Sequence, residues 1–213
     1  MPELSKDQVL GFVLAGGLAR RMGGGDKGLK RLRGLKGLEE VTILDHLLER
    51  ARPQVAELAL NANGDPARFE ALGLPVVPDS LSGNPGPLAG VLAGLDWVAG
   101  NRPEIRAIVT LPCDGPFVPT DLVDAFLVAV QERDHALAVA SSRGRTNPVT
   151  ALWPVELRHD LRKALVDEEL RKVDLWTARH GVVEVPFPDQ VVAGQSFDPF
   201  FNANKPEDLD LLS

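Results

Sequence analysis

The stretch near the start of the chain that decides the fold is Gly11-Phe-Val-Leu-Ala-Gly-Gly-Leu-Ala-Arg-Arg-Met-Gly-Gly-Gly-Asp-Lys27. The apolar run at residues 12–15 is short and bounded by glycines, which is typical of a strand buried on both faces of a parallel sheet. Gly16 and Gly17 follow where that strand would end. Because glycine has no Cβ, the backbone there can turn sharply and a ligand can approach the main-chain N–H groups. The stretch therefore predicts a strand that leads into a phosphate-binding loop.

Positive charge is concentrated directly after these glycines. Residues 20–36 contain one acid, Asp26, and seven bases. The bases are Arg20, Arg21, Lys27, Lys30, Arg31, Arg33 and Lys36. This segment carries a charge of +6, so within the total of −7 the rest of the chain carries −13. A positive segment on an acidic protein indicates an anionic ligand bound locally, and we expect Arg21 and Lys27 to contact a polyphosphate.

Two common phosphate motifs do not explain this loop. Gly23, Gly25 and Gly28 match G-x-G-x-x-G, but two arginines and a methionine separate them from the strand. The acid that a dinucleotide fold needs at the end of its second strand is also missing, since Asp45 falls inside a helical pattern. No G-x-x-x-x-G-K-[ST] occurs in the sequence, which argues against a P-loop NTPase.

Length and composition narrow the class of protein. We expect residues 1–213 to form a single domain, since 213 residues can bury a substantial core and no linker divides them. A net charge of −7 disfavours general nucleic-acid binding, which needs a broad basic surface. The one cysteine excludes an internal disulfide. The chain shows neither a signal-peptide pattern nor an apolar run approaching 18 residues, so we expect a cytoplasmic protein without membrane contact.

Apolar runs alternate with amphipathic segments along the chain. Strands are predicted near residues 12–15, 55–60, 75–78, 105–111, 136–140 and 182–185, with an antiparallel addition at 150–153. Helices are predicted near residues 41–51, 84–95, 119–130, 157–165 and 170–180; a long loop and a short terminal helix at 206–209 follow. This alternation predicts an α/β fold, a doubly wound, mostly parallel sheet with helices on both faces.

Polar residues follow four of these predicted strands where each strand ends. Gly16 and Gly17 follow the first, Asn61 and Asn63 the second, Asp79 the third and Asp114 the fourth. In an open α/β sheet, ligands bind beyond the carboxyl ends of the strands. The sequence therefore predicts that these four loops converge on one crevice.

Asp114 is the best candidate for a metal ligand in that crevice. It follows a buried strand directly, and nucleotide-bound Mg²⁺ takes one or two carboxylates together with phosphate oxygens and water. Asp79 is open to three interpretations: a second carboxylate, a contact to the acceptor substrate, or a plain turn residue. Cys113 is interpreted as a small buried hydrophobe rather than a nucleophile, because no histidine lies near it in sequence.

Taken together, the motifs resemble nucleotidyltransferases of the molybdenum cofactor guanylyltransferase (MobA) type, which have a Rossmann-like fold. The resemblance spans nearly the whole chain. Its motifs, in order, are residues 14–17, 20–24 and 26–27 of the opening loop, Asn61-Ala-Asn63, Asp79-Ser-Leu, Pro85-Gly-Pro-Leu-Ala-Gly90, Pro112-Cys-Asp114, Phe201-Asn-Ala-Asn204 and Pro206-Glu-Asp-Leu209. Two departures are a longer segment at residues 28–40 and Asn147-Pro148 where the family has His-Pro.

The resemblance implies a role for each matching residue. Leu14, Ala15 and Gly16 would contact guanine, with Gly17 beside them. Arg21 and Lys27 would meet the triphosphate and act in catalysis. Asn61 and Asp79 would bind the nucleotide, and Asp114 would contact it, hold Mg²⁺ and act in catalysis. Asn202 and Asn204 would line the pterin side.

The implied reaction joins GMP from GTP to molybdopterin-bound molybdenum and releases pyrophosphate. GTP and Mo-molybdopterin are then the substrates, and molybdenum-insertion proteins and molybdoenzyme chaperones are candidate partners. The related cytidylyltransferases tend to carry Leu-Ala-Ala-Gly in the opening loop, so Gly16 favours guanine. Without the resemblance, the residues indicate only nucleotidyl transfer. Three alternatives therefore stay open: a molybdenum cofactor cytidylyltransferase, a sugar-phosphate nucleotidyltransferase, and a non-catalytic nucleotide sensor or cofactor adaptor.

Overall fold

The computed structural model describes residues 4–15, 26–32, 38, 40–81, 86–133, 137–203 and 208. The strands are β1 (Val9–Leu14), β2 (Glu57–Asn61), β3 (Val76–Val77), β4 (Ala107–Pro112), β5 (Leu137–Ser142), β6 (Arg145–Pro154), β7 (Val182–Pro186), β8 (Gln190–Val192) and β9 (Gln195–Phe197). The α-helices are α1 (Ile43–Ala51), α2 (Pro87–Asn101), α3 (Leu122–Arg133), α4 (Arg158–Val166) and α5 (Val173–Thr177). Among the described residues, no helix combines the length and apolar character that a membrane span requires.

Seven strands form one sheet in the order β3-β2-β1-β4-β6-β5-β7. The ladders β3–β2, β2–β1, β1–β4 and β5–β7 are parallel, whereas β6 runs antiparallel to both β4 and β5. This confirms the mostly parallel α/β sheet and its one antiparallel addition.

Strand β6 is longer than the pattern predicts, because it begins at Arg145 rather than near residue 150. A tight turn at Arg143 and Gly144, both with positive φ, joins it to β5. The ladder pairs Val139 with Ala151 and the next residue, Ala140, with Asn147. Residues 148–150 are therefore extra on the β6 side and bulge out of the ladder, where Pro148 needs no N–H partner.

Apolar side chains extend from both faces of the central strands. On β1, Val9 and Val13 lie in the cluster that includes residues of α1 and α3. The alternate residues Leu10 and Phe12 lie in the cluster that includes residues of α2, α4 and α5. Since successive side chains of a strand point to opposite faces, helices cover both sides of the sheet, and the doubly wound arrangement is confirmed.

Helix α1 begins with a reciprocal cap. The Thr42 hydroxyl accepts from the Asp45 N–H at 3.0 Å, and the Asp45 carboxylate accepts from the Thr42 N–H at 3.3 Å. Asp45 thus lies in a helix, as predicted, and the structure shows that it caps that helix rather than ending a second strand.

Helix α2 packs close to the sheet through two glycines. A Cβ on Gly90 would lie 2.7 Å from Asn61 Oδ1 and 2.8 Å from Leu14 Cδ2. A Cβ on Gly94 would lie 2.7 Å from Phe12 Cδ1. The backbone of α2 therefore lies directly against the carboxyl ends of β1 and β2.

A third, smaller apolar cluster joins two segments that the sequence describes only as loops. Its buried members are Leu32, Ile43, Phe117, Val192 and Ala203. The region after β7 is a short β8–β9 hairpin and not wholly a loop; Phe197 at its end stacks on Phe117 with ring centroids 4.3 Å apart. Leu32 is fully buried, and its N–H donates to the Val41 carbonyl at 2.9 Å, so part of the long 28–40 segment is anchored on the fold.

Candidate active site

The parallel register brings the predicted site residues to one edge of the sheet. Leu14 lies opposite both Asn61 and Pro112, at the carboxyl ends of β1, β2 and β4. The Ala15 N–H donates to the Asn61 carbonyl at 2.8 Å, and the Cys113 N–H donates to the Leu14 carbonyl at 3.2 Å. Ladder-like hydrogen bonds therefore continue past the strand ends and fix where the loops leave the sheet.

The last residue of the opening stretch reaches the loop after β4. Lys27 begins a single 3-10 turn (Lys27–Leu29), and its Nζ lies 3.2 Å from Asp114 Oδ2. The two side chains are only 21% and 16% exposed. A Cβ on the neighbouring Gly28 would lie 3.1 Å from the Cys113 carbonyl oxygen, so this turn is pressed against the β4 loop. The result is a largely buried ion pair at the carboxyl end of β4.

A second polar network holds Asp79 beside β2. Asn61 Nδ2 donates to Asp79 Oδ1 at 2.9 Å and to the Val77 carbonyl at 3.1 Å. Asn63 Nδ2 donates to Asp79 Oδ2 at 2.8 Å, and Asn63 Oδ1 accepts from the Asp79 N–H at 2.9 Å. Both amide hydrogens of Asn61 therefore have protein acceptors, so a nucleotide contact by Asn61 would use its oxygen. The turn at Asp79 is built by three groups acting together and not by Asp79 alone.

The C-terminal segment packs on the loop that carries Asp114. The Ala203 N–H donates to the Asp114 carbonyl at 3.0 Å, and a Cβ on Gly115 would lie 3.4 Å from Asn202 Oδ1. A cavity of about 130 Å³ opens beside this contact. It is lined by Leu47, Leu111, Pro112, Gly115, Val118, residues 147–150, Pro199, Phe200 and Asn202.

The β6 bulge explains this cavity. Pairing between β4 and β6 ends at Thr110 and Ala151, so beyond that point residues 148–150 leave the side of β4. The Thr110 hydroxyl donates to the Val149 carbonyl and accepts from Trp153 Nε1, which fixes the bulge from inside the sheet. A space therefore remains between the end of β4 and the bulge, and Pro112 and Gly115 of the loop that carries Asp114 line it.

Cys113 does not have the character of a nucleophile. Burial, followed by the neighbouring Asp114 charge, raises the pKa of its thiol to about 12. Because the thiolate is the reactive form, Cys113 stays a neutral thiol at physiological pH. The interpretation of Cys113 as a small buried hydrophobe is confirmed.

The remaining predicted residues divide between the described and undescribed parts of the chain. Gly16, Gly17, Arg21 and Asn204 lie outside the described residues.

Sequence reasoning missed Arg68, which follows the second strand within a 3-10 helix (Pro66–Leu72). Its Nε lies 2.9 Å from Asp26 Oδ2, so it ties the end of the opening stretch to the segment after β2. No motif marks this arginine, and only the fold brings it to Asp26.

The donor set at Asp114 suits a nucleotide-bound divalent ion rather than a metal held by protein alone. Among the described residues, no group of three or more His, Cys, Asp or Glu side chains could enclose an ion. Mg²⁺ in nucleotide enzymes is commonly held by one or two carboxylates, with substrate phosphates and water completing the shell. Asp114 supplies one such carboxylate beside Lys27, which meets that requirement.

Comparison with known proteins places this chain in a family. The model of the MobA-like NTP transferase domain matches residues 11–181. The chain belongs to the MobA-like NTP transferase family. A relative from Bradyrhizobium sp. (strain ORS 278), named molybdenum cofactor guanylyltransferase, is 54% identical over 201 residues, which cover 94% of this chain and 90% of that protein. The family match spans strands β1 to β6, with every described site residue up to Asp114 inside it.

Two solved structures share the fold of this MobA-like chain. One is the molybdopterin-guanine dinucleotide biosynthesis protein A of Archaeoglobus fulgidus, with a TM-score of 0.69, 22% identity and coverage of 95% of this chain and 96% of that one. The other is a Mycobacterium tuberculosis protein in complex with manganese, with a TM-score of 0.62, 19% identity and coverage of 96% and 97%. At these identities the likeness concerns the fold.

Proposed function

We propose that the chain is a molybdenum cofactor guanylyltransferase, which transfers GMP from GTP to Mo-molybdopterin and releases pyrophosphate. The relative that shares 54% of its residues over 94% of this chain carries that name. The observation that carries the chemistry is the Lys27–Asp114 pair, a cation and a carboxylate held at 3.2 Å where β1 and β4 end. A triphosphate needs positive donors, and a carboxylate beside it is favourable when a divalent ion lies between the two.

In the proposed reaction, a terminal phosphate oxygen of the acceptor attacks the α-phosphorus of GTP. The bond between the α-phosphorus and the bridging oxygen breaks, and that oxygen leaves with pyrophosphate. Lys27, with Arg21 from the same stretch, would donate hydrogen bonds to the departing phosphates as their charge grows. No protein nucleophile is required, because orientation and charge stabilisation carry most of the catalysis in phosphoryl transfer.

Other residues would hold the two substrates. Leu14, Ala15, Gly16 and Gly17 would border the guanine, and the Asn61–Asp79 network would hold the nucleoside. Asp114 would hold Mg²⁺, which supplies neutralisation of phosphate charge when bound. The cavity beside the β6 bulge is lined by Pro112 and Gly115, which precede and follow Cys113 and Asp114 in the chain, so it is the proposed entry for the acceptor phosphate, with Asn202 at its wall and Asn204 following. A cytoplasmic location, and partnership with molybdenum-insertion proteins and molybdoenzyme chaperones, are part of the same proposal.

The test is pyrophosphate release by the purified protein with Mg²⁺, with and without Mo-molybdopterin, measured in parallel with GTP and CTP. We expect release only with GTP and the acceptor together. Release with CTP instead would assign the protein as a cytidylyltransferase. GTP binding without acceptor-dependent release would identify a nucleotide sensor and would overturn the proposed activity.

A further inference from the structure

Arg68 contacts three separate groups with one guanidinium. Its Nε lies 2.9 Å from Asp26 Oδ2, its Nη2 donates to the Asn63 carbonyl at 2.7 Å, and its Nη1 donates to the Asp65 carbonyl at 3.0 Å. The guanidinium carbon also lies 4.8 Å from the centre of the Phe69 ring, which is buried. This side chain is therefore fixed in place from several directions, unlike a solvated surface arginine.

The groups that Arg68 joins belong to the two halves of the candidate active site. Asp26 directly precedes Lys27, and its carbonyl accepts the Leu29 N–H at 3.2 Å, which begins the turn that carries Lys27. Its carboxylate forms no cap on that turn and pairs with Arg68 instead. On the other side, Asn63 makes the reciprocal pair with Asp79. Arg68 thus links the phosphate side to the nucleoside side.

An exposed ion pair alone would stabilise the fold little, because water and salt screen its charges. Here, however, the Arg68 and Asp26 side chains are only 31% and 21% exposed, and Asp26 lies one residue from the cation proposed to meet the triphosphate. Without Arg68, the Asp26 carboxylate would be an uncompensated negative charge beside that site. Lysine could balance the charge, but its single ammonium lacks the planar fork that reaches a carboxylate and two carbonyls at once.

We infer that Arg68 is a positioning residue for nucleotidyl transfer, which holds Lys27 and the Asn63–Asp79 pair in fixed relation by bridging Asp26 to the Asn63 and Asp65 carbonyls. This inference rests on the proposed function of the site, since it assigns the bridge to a nucleotide bound between those halves. It adds a residue that neither the sequence motifs nor the family comparison assign.

The test compares Arg68→Ala and Arg68→Lys with matched changes at Arg102. Arg102 makes a similar fork with Glu57, at 2.6 and 3.0 Å, but Glu57 lies at the opposite end of β2 from the site. We expect both Arg68 variants to lower kcat/KM for GTP by about 10- to 100-fold, the loss typical of misplaced catalytic groups, with a fall in Tm similar to that of the Arg102 variants. Arg102→Ala and Arg102→Lys should lower Tm and leave kcat/KM unchanged.

Two further readouts separate positioning from simple folding support. Methylguanidinium should restore part of the activity of Arg68→Ala, and methylammonium should not. The losses from Arg68→Ala and Asp26→Asn should be non-additive in a double-mutant cycle, because both changes break the same bridge. Wild-type kcat/KM in Arg68→Lys, rescue by both cations, or strict additivity with Asp26→Asn would each overturn the inference.

Failure of the proposed function would give a different pattern. If the wild type uses CTP, the same variants are compared with CTP, and only the base assignment is lost. If the wild type releases no pyrophosphate, the readout is the nucleotide-induced rise in Tm, which a positioning role makes smaller in both Arg68 variants and leaves unchanged in the Arg102 variants. Equal rises in all variants would overturn the role of Arg68.

Discussion

The close contact between helix α2 and the sheet allows the substitution of an uncharged residue to test the site. In Gly90→Ala, the new Cβ would lie 2.7 Å from Asn61 Oδ1 and 2.8 Å from Leu14 Cδ2. Favourable carbon contacts begin near 3.5 Å, so these neighbours must move by roughly 0.7 Å. Overpacking of this kind costs about 1–3 kcal/mol of folding free energy, and the better helix propensity of alanine returns about 1 kcal/mol.

The net loss of about 0–2 kcal/mol corresponds to a fall in Tm of no more than about 8 °C for a chain of this size. The kinetic effect should be larger, because the displaced Asn61 holds the Asp79 carboxylate at 2.9 Å. A misplacement approaching 1 Å can lower the rate by about 10- to 100-fold, so we expect kcat/KM for GTP to fall by at least about 10-fold. Differential scanning calorimetry and the pyrophosphate assay measure the two effects separately.

The same helix supplies the control. In Gly94→Ala, the Cβ would lie 2.7 Å from Phe12 Cδ1 and 2.9 Å from Ile108 Cδ1, which is equal crowding against core side chains only. Gly94→Ala should therefore lower Tm as Gly90→Ala does and leave kcat/KM for GTP unchanged. If both variants lower kcat/KM equally, or if neither does, the reasoning that links Gly90 through Asn61 to Asp79 is wrong.

Three further predictions concern charged and titratable groups. Asp114→Asn should abolish transfer, and near-normal turnover in this variant would refute the assignment of Asp114 as the metal ligand. Lys27→Ala should lower kcat by about 100- to 1,000-fold, because a preorganised charge contact is lost. Single-turnover kinetics measure both effects. The ring nitrogens of His46 are buried without hydrogen-bond partners among the described residues, and burial, with a smaller effect of Arg50, lowers its pKa. The unfolded chain therefore binds this proton more readily, so the free energy of unfolding should fall as pH drops below about 6.5, by at most about 1.4 kcal/mol per pH unit. Urea titrations of the wild type and His46→Leu should show a weaker pH dependence in the variant, and equal slopes would contradict this.

Local pattern was sufficient to predict most of the sheet. The central strands β1 and β4 are short apolar runs that end in glycine or proline, and such runs can be recognised without knowing their neighbours. The carboxyl-end rule predicted that Asn61, Asn63, Asp79 and Asp114 meet at one edge of the sheet beside Gly16 and Gly17. The structure confirms this placement for the four described residues, whereas Gly16 and Gly17 lie outside the described residues. The roles of all six residues stay predictions.

What the sequence missed depends on contacts between distant segments. Strand β6 extends to Arg145 because β5 lies beside it, although Pro148 interrupts its local pattern. Short strand β9 ends at Phe197, whose ring stacks on Phe117 about eighty residues earlier in the chain. No sequence motif marks Arg68, because its partner Asp26 lies in a distant segment that only the fold brings beside it. Local periodicity contains no information on such pairings.

The position of β1 at the centre of the sheet has a consequence for how the protein is made. Its Val9 pairs with Ala107 of β4, so the partner strand is translated almost one hundred residues later. At about 5–20 residues per second, the ribosome needs roughly 5–20 seconds to supply it. During that interval an apolar strand, which is buried on both faces in the native sheet, has no β4 to pair with. The segment that begins the nucleotide site is thus made well before the strand that pairs with it, and this delay leaves time for molecular chaperones to bind it.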